Sequence, residues 1–215
     1  MKLEAALARI GAPLNDLFPP TAGPPGHRHG ARDPESGPAP AFASWAAGAF
    51  AEGAGRPLAL YLHAPFCRKR CHFCPFFKNR ISYGFSETYC RALIREIRLT
   101  ADILGADEAR KRPASAVYFG GGTPSDLEAD DLAAVLGELH ARFHITRDTE
   151  VTVEGRVRGF TREKAEAWTR AGANRFSLGI QTTDTGLRRS LGRIADRAEI
   201  ASALNTLSAT GAVVI

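Results

Sequence analysis

From Pro57 to Ile215, short β-rich runs alternate with longer helical patterns, and this alternation constrains the fold more than any other feature of the chain. The runs are Leu58 to Phe66, Ala116 to Phe119, Glu150 to Arg156, Arg175 to Gln181 and Ala212 to Ile215. Between them, helical patterns cover Glu87 to Leu104, Asp126 to Phe143, Arg162 to Ala171 and Ala195 to Ala209. Ser125 and Glu128 have the spacing of a capping box at the second helix, and Gly172 stands where a left-handed residue ends the third. Strands separated by helices pair in parallel, so an α/β fold follows, with a full or partial barrel as its natural closure.

The parity of the strands says what the two faces do. Leu58, Leu60 and Leu62 alternate with Ala59, Tyr61 and His63; Val151 and Val153 alternate with Thr152, Glu154 and Arg156; Phe176, Leu178 and Ile180 alternate with Ser177, Gly179 and Gln181. Successive side chains point to opposite faces, so one face packs on helices and the other carries polar groups. A closed barrel of eight strands fills its lumen with branched apolar side chains. A polar lumen therefore predicts a wider or incomplete barrel that holds a polar ligand.

Ahead of this region, proline and glycine make up half of positions 19–40, which neither a helix nor a sheet can propagate. Residues 1–56 read as a loosely ordered Pro/Gly-rich extension whose Phe42, Trp45 and Phe50 dock on the domain of residues 57–215. His27 and His29 in that extension read as solvent-exposed. With 44% hydrophobic residues the chain has the composition of an ordinary globular domain, and no apolar run is long enough to span a membrane. The net charge of +5 comes from scattered arginines without an aromatic-basic nucleic-acid signature, so it suits anionic small ligands or an acidic electron-donor protein. Without a signal-peptide core at the start, the expected location is the cytoplasm.

Three of the four cysteines, Cys67, Cys71 and Cys74, fall within eight residues directly after the first strand. That crowding fits a metal site in a reducing compartment and not a disulfide. Fully ligated ferredoxin runs use four cysteines per cluster, so three thiolates with no fourth nearby suit a cubane whose last iron stays open to a ligand. Arg68, Lys69, Arg70 and His72 favour the thiolate form and offset a cluster's negative charge. Zinc is the competing occupant, because His72 or His63 as fourth ligand gives a permitted spacing. Cys90, inside a helical pattern, reads as a small buried hydrophobe. Gly120, Gly121, Gly122, Thr123 and Pro124 close the second strand, where parallel α/β folds bind ligands and where glycines allow close backbone approach.

The CxxxCxxC motif after a strand containing Tyr61, His63, Pro65 and Phe66 resembles the radical S-adenosylmethionine enzymes, in the branch related to anaerobic coproporphyrinogen III oxidase (HemN/HemW). The resemblance covers about residues 57–215 and implies a partial parallel (β/α) barrel, incomplete at its C-terminus. It implies that Cys67, Cys71 and Cys74 hold a 4Fe-4S cluster. It further implies that Tyr61, Phe73, Gly121, Gly122, Thr123, Glu154, Gln181 and Arg193 bind S-adenosylmethionine. A carboxylate for the α-amino group, an amide for the ribose and a guanidinium for an acidic group are what such a nucleoside requires.

Two departures point within the branch. Phe76 stands where coproporphyrinogen-type enzymes carry a further cysteine, and Glu154 is followed by Gly155, Arg156 and Val157 where they have Glu-x-Asp/Asn-Pro. In these respects the chain is more similar to the anaerobic haem-utilisation methyltransferases (ChuW/HutW). The resemblance then implies reductive cleavage of S-adenosylmethionine to a 5′-deoxyadenosyl radical, a tetrapyrrole substrate opened with methyl transfer, and a flavodoxin- or ferredoxin-like electron donor. Arg156 is the expected contact for a propionate or cofactor carboxylate. Oxidative decarboxylation of coproporphyrinogen and non-catalytic haem or iron-sulfur carriage are the alternatives. Because the family's barrel has six strands and then a substrate-binding region, the chain reads as the amino-terminal part of a longer enzyme.

Overall fold

A computed structural model describes residues 40–75 and 79–215, and a compact unit spans Ala41–Ile215. Helix α1 (Pro40–Glu52) precedes strand β1 (Leu58–Ala64). Short strands β2 (Phe66–Cys67) and β3 (Asn79–Arg80) pair with each other beside the main sheet. Then come α2 (Phe85–Leu104), α3 (Ala106–Lys111), β4 (Ala114–Gly121), a 3-10 turn (Pro124–Asp126) and α4 (Ala129–Arg142). The rest is β5 (Glu150–Gly155), α5 (Arg162–Arg170), β6 (Arg175–Leu178), α6 (Thr185–Ser190), α7 (Arg197–Ser208) and β7 (Val213–Val214). The sheet runs β1-β4-β5-β6-β7 with every pair parallel, the α/β barrel-type topology expected from the strand-helix alternation.

Register carries the parity across the sheet. Leu62, Phe119, Val153, Phe176 and Val214 lie side by side, in the row that packs against the helices. Tyr61, Tyr118, Thr152 and Arg175 form a neighbouring row on the opposite face, and His63, Glu154 and Ser177 stand two residues further on. Helix α2 buries Cys90, Leu93, Ile97 and Ala101 at helical spacing, and burial pushes the Cys90 thiol up to about 12. A thiol so placed is a packing group. Trp168 of α5 is fully buried, donates to the Ala129 carbonyl at 3.0 Å, and meets Phe160 edge-on.

The structure departs from the sequence reading in three places. Positions 40–52, expected in a loose extension, form α1, because the run of alanines after Pro40 favours a helix and proline is tolerated in its first turn. The Phe50 ring lies 4.7 Å beneath the Arg112 guanidinium, while His27 and His29 lie outside the described residues. The Ser125/Glu128 capping box does not form: Pro124 starts a tight turn, Leu127 is extended, and the Glu128 N–H goes to the Ser86 hydroxyl at 2.8 Å. A capping box does form at Asp196 and Glu199 of α7. Strand β6 stops at Leu178 rather than Gln181, whose φ of 62° is incompatible with a strand. Gly172 has φ 111° and closes α5 as expected, with the Ala173 N–H reaching back to the Trp168 carbonyl at 2.9 Å.

Glu138 of α4 ties two helices together. It accepts from Arg98 of α2 at 2.7 Å and from Arg142 at 2.9 Å, which brings its carboxyl down to about 2. A lowered folded-state value gives stability that is present above the ordinary carboxylate range and lost as pH falls toward 2. Glu138→Gln therefore lowers the melting temperature at neutral pH, and the gap from wild type closes as the melts are repeated down to that pH.

Candidate cofactor site

The carboxyl ends of β1, β4, β5 and β6 carry most of the residues that the sequence singles out. At the end of β1, Pro65 has no N–H for the ladder, and the chain turns through Phe66 into the cysteine loop. Cys67 and Cys71 are buried and Cys74 is half-buried. Two neighbouring segments hold this loop. His72 donates its N–H to the Leu191 carbonyl at 3.1 Å, with its Nδ1 2.8 Å from the Ser190 carbonyl. Arg68 gives its backbone N–H and its Nε to the buried carboxylate of Asp126 at 3.1 and 3.3 Å.

Close approach at the end of β4 depends on missing side chains. Gly121 has φ 106°, and a Cβ there would lie 2.7 Å from the His63 ring. A Cβ on Gly122 would collide with the Phe66 and Ala64 carbonyls, and its N–H donates to the latter at 2.7 Å. The Gly121 N–H donates to the Glu154 carboxylate on the neighbouring strand. Burial pushes the Glu154 carboxyl up, and neither that hydrogen bond nor the positive charge of Arg193 fully offsets it. A carboxylate kept short of solvation this way gains most from a cationic ligand.

Arg193 shows the complementary deficit. Its Nε and Nη1 are buried with no hydrogen-bond partner among the described residues, and burial lowers its proton affinity despite the nearby sulfurs of Cys71 and Cys67. The guanidinium lies 5.7 Å from the centre of the Phe73 ring. A Cβ on Gly179 would meet Arg193 Nη2 at 3.3 Å and Gln181 Nε2 at 3.4 Å, so both side chains flank that glycine. Tyr61 is 60% exposed on the polar face, stacks on Tyr118 at 6.2 Å, and sits 2.9 Å from His63 Nδ1. Thr123 is fully buried, with its hydroxyl 3.2 Å from the Cys67 sulfur. Arg156 lies beyond β5, lining a cavity of about 440 Å³ shared with Lys69, Lys164 and Arg193.

Three positioning residues escape the sequence reading. Asp126 falls in an expected helix but anchors the cysteine loop. Ser125 accepts from the Arg156 N–H at 3.1 Å, in space left open by Gly155 and Gly159. Arg188 is 1% exposed and donates to the Ala195, Thr182 and Ile180 carbonyls, fixing the segment that carries Gln181 and Arg193. An arginine in a short polar helix gives no sequence signal for burial.

The residues fit the implied groups. Three thiols on one anchored loop, unpartnered guanidinium nitrogens beside them and an underpaired carboxylate across a glycine cradle match a cluster with an amino-acid nucleoside. Among the described residues no three cysteine, histidine or acidic side chains gather round one point.

Known proteins resemble the chain in sequence and fold. The profile of the Radical SAM superfamily matches residues 61–214. Anaerobilin synthase of Escherichia coli O157:H7 is 45% identical over 137 residues, which is 64% of this chain and 30% of that protein. Oxygen-independent coproporphyrinogen III oxidase of Bradyrhizobium diazoefficiens is 31% identical over 74% of this chain and 34% of its own length. Heme chaperone HemW of Synechocystis is 32% identical over 71% and 37%. The solved structure of Escherichia coli HemN, a coproporphyrinogen III oxidase, superposes with a TM-score of 0.68 at 29% identity, covering 77% of this chain and 37% of that one. The chain thus spans about a third of the length of these relatives. With the profile matched over most of its length, the chain belongs to the Radical SAM superfamily, alongside HemN- and HemW-like proteins and anaerobilin synthase.

Proposed function

We propose that the chain is the cofactor-binding part of an enzyme that cleaves S-adenosylmethionine reductively and opens the ring of haem with methyl transfer. Cys67, Cys71 and Cys74 hold a 4Fe-4S cluster, which supplies one electron to the sulfonium of S-adenosylmethionine when both are bound. Glu154 and the backbone around Gly121 and Gly122 receive the α-amino group. Arg193 takes an acidic group with its unpaired nitrogens, Gln181 the ribose, and Thr123, Tyr61 and Phe73 line the remainder. The observation that carries this reading is a pair of opposite deficits beside the three cysteines: a half-buried carboxylate that burial leaves poorly solvated, and a half-buried guanidinium with two buried nitrogens that lack a hydrogen-bond partner.

Haem is favoured by the 45% identity to anaerobilin synthase and by Phe76 and Arg156 standing where coproporphyrinogen-type enzymes differ. Arg156 meets a propionate from the cavity it lines. Exposed Arg68, Lys69 and Arg70 on the cysteine loop suit an acidic flavodoxin- or ferredoxin-like donor. Among the described residues no helix is long and apolar enough to cross a membrane. The catalytic region is residues 57–215.

Anaerobic reconstitution with S-adenosylmethionine, reductant and haem tests the reading. Release of 5′-deoxyadenosine with loss of the haem spectrum is expected. Turnover with coproporphyrinogen instead makes the protein a decarboxylase, and tight haem binding without deoxyadenosine makes it a carrier.

A further inference from the structure

We propose that Thr123 sets the reduction potential of the cluster by donating a hydrogen bond from its hydroxyl to the Cys67 sulfur, an inference that rests on the function proposed above. The two atoms lie 3.2 Å apart, and both residues are buried, so water does not compete for the sulfur on this side. A thiolate bound to iron only accepts, so the hydroxyl is the donor once the cluster is in place. Family resemblance implies Thr123 as a cofactor contact; the geometry gives its hydroxyl to the metal ligand.

The contact is held from both sides. Before Thr123, Gly122 packs against the Phe66 carbonyl and donates to that of Ala64; after it, Asp126 binds the backbone N–H of Arg68. Neighbours of Thr123 are thus fastened to residues on either side of Cys67, which fixes the register of the two segments. The Asp126 N–H closes the turn on the Thr123 carbonyl at 2.9 Å. Ser125 ties the same turn to β5, where a Cβ at Gly155 or Gly159 would strike it. A hydroxyl fixed this firmly gives a hydrogen bond of constant length in both redox states.

Reduction adds negative charge to the cluster and its sulfurs, so a donor stabilises the reduced form more than the oxidised one. Thr123→Val keeps the shape and removes the donor. Redox titration of the full chain, reconstituted anaerobically and followed by electron paramagnetic resonance, reads the effect. At a fixed potential the reduced-to-oxidised ratio falls about tenfold in T123V, equal to about 59 mV for a one-electron couple. T123S, which keeps the hydroxyl, stays at the wild-type value. Wild-type potential in a fully loaded T123V overturns the proposal. If T123V takes up no iron, T123A serves the same comparison; if neither loads while T123S does, the hydroxyl is needed for assembly and the tuning role is wrong. A wild-type chain that builds no cubane overturns the function proposed above together with this inference, whereas a loaded wild type with an unshifted T123V overturns this inference alone.

Discussion

Cys71→Ala leaves a chain that folds but retains no cubane. Cys71 is the middle one of the three proposed ligands and 2% exposed, and its replacement leaves only two thiolates. Loss of an outer-shell partner alone costs roughly 10–100-fold in metal affinity, and loss of a ligand costs more. The expected result is iron and labile sulfide near background after reconstitution, with no S-adenosylmethionine cleavage. The helices and the sheet do not depend on this position, because the loop is held by Asp126, Ser190 and Leu191. Cys90→Ala is the control: its sulfur packs in α2, so it keeps the wild-type iron content. Equal iron in C71A and wild type contradicts the ligand assignment.

Glu154→Gln separates binding from folding. The glutamine keeps an oxygen for the Gly121 N–H but loses the charge that the proposed role gives to an ammonium group. Hydrogen bonds to charged groups contribute about 1.5–3 kcal/mol, so S-adenosylmethionine binding weakens by roughly tenfold to a hundredfold. Stability moves the other way. Burial raises the Glu154 pKa, so the folded chain holds this proton more tightly than the unfolded chain, and its ionisation destabilises the fold as pH rises. E154Q removes that cost and melts no lower than wild type at neutral pH, with the difference vanishing at pH values below the ordinary carboxylate range. Wild-type binding weakens on acidification through the raised pKa, while the residual binding of E154Q is flat there. Isothermal titration and thermal melts over pH check both halves, and a destabilised E154Q with unchanged affinity contradicts the role.

Much of this was legible in the chain because strand parity and strand-helix alternation are local signals. Leu62, Val153 and Phe176 declare the helix-facing side, and His63, Glu154 and Ser177 the other, before any pairing is known. The cysteine triplet and the glycine run are likewise contiguous. What stayed hidden is what depends on contacts distant in sequence. Ser125 and Glu128 have the spacing of a cap, yet Pro124 starts a tight turn and Leu127 is extended, so the Ser125 hydroxyl accepts from the Arg156 N–H just after β5 and the Glu128 backbone N–H donates to Ser86 of α2. Asp126 and Arg68 are fifty-eight positions apart, and only the parallel pairing of β1 with β4 brings their loops together. Buried Arg188 satisfies itself with carbonyls of its own segment, which no periodicity announces.

Electron paramagnetic resonance of the dithionite-reduced, anaerobically reconstituted chain, recorded before and after adding S-adenosylmethionine, tests the central claim most directly. A cubane signal that changes when the nucleoside is added is the expected result. A protein loaded with zinc, or a cubane whose signal is indifferent to S-adenosylmethionine, contradicts it.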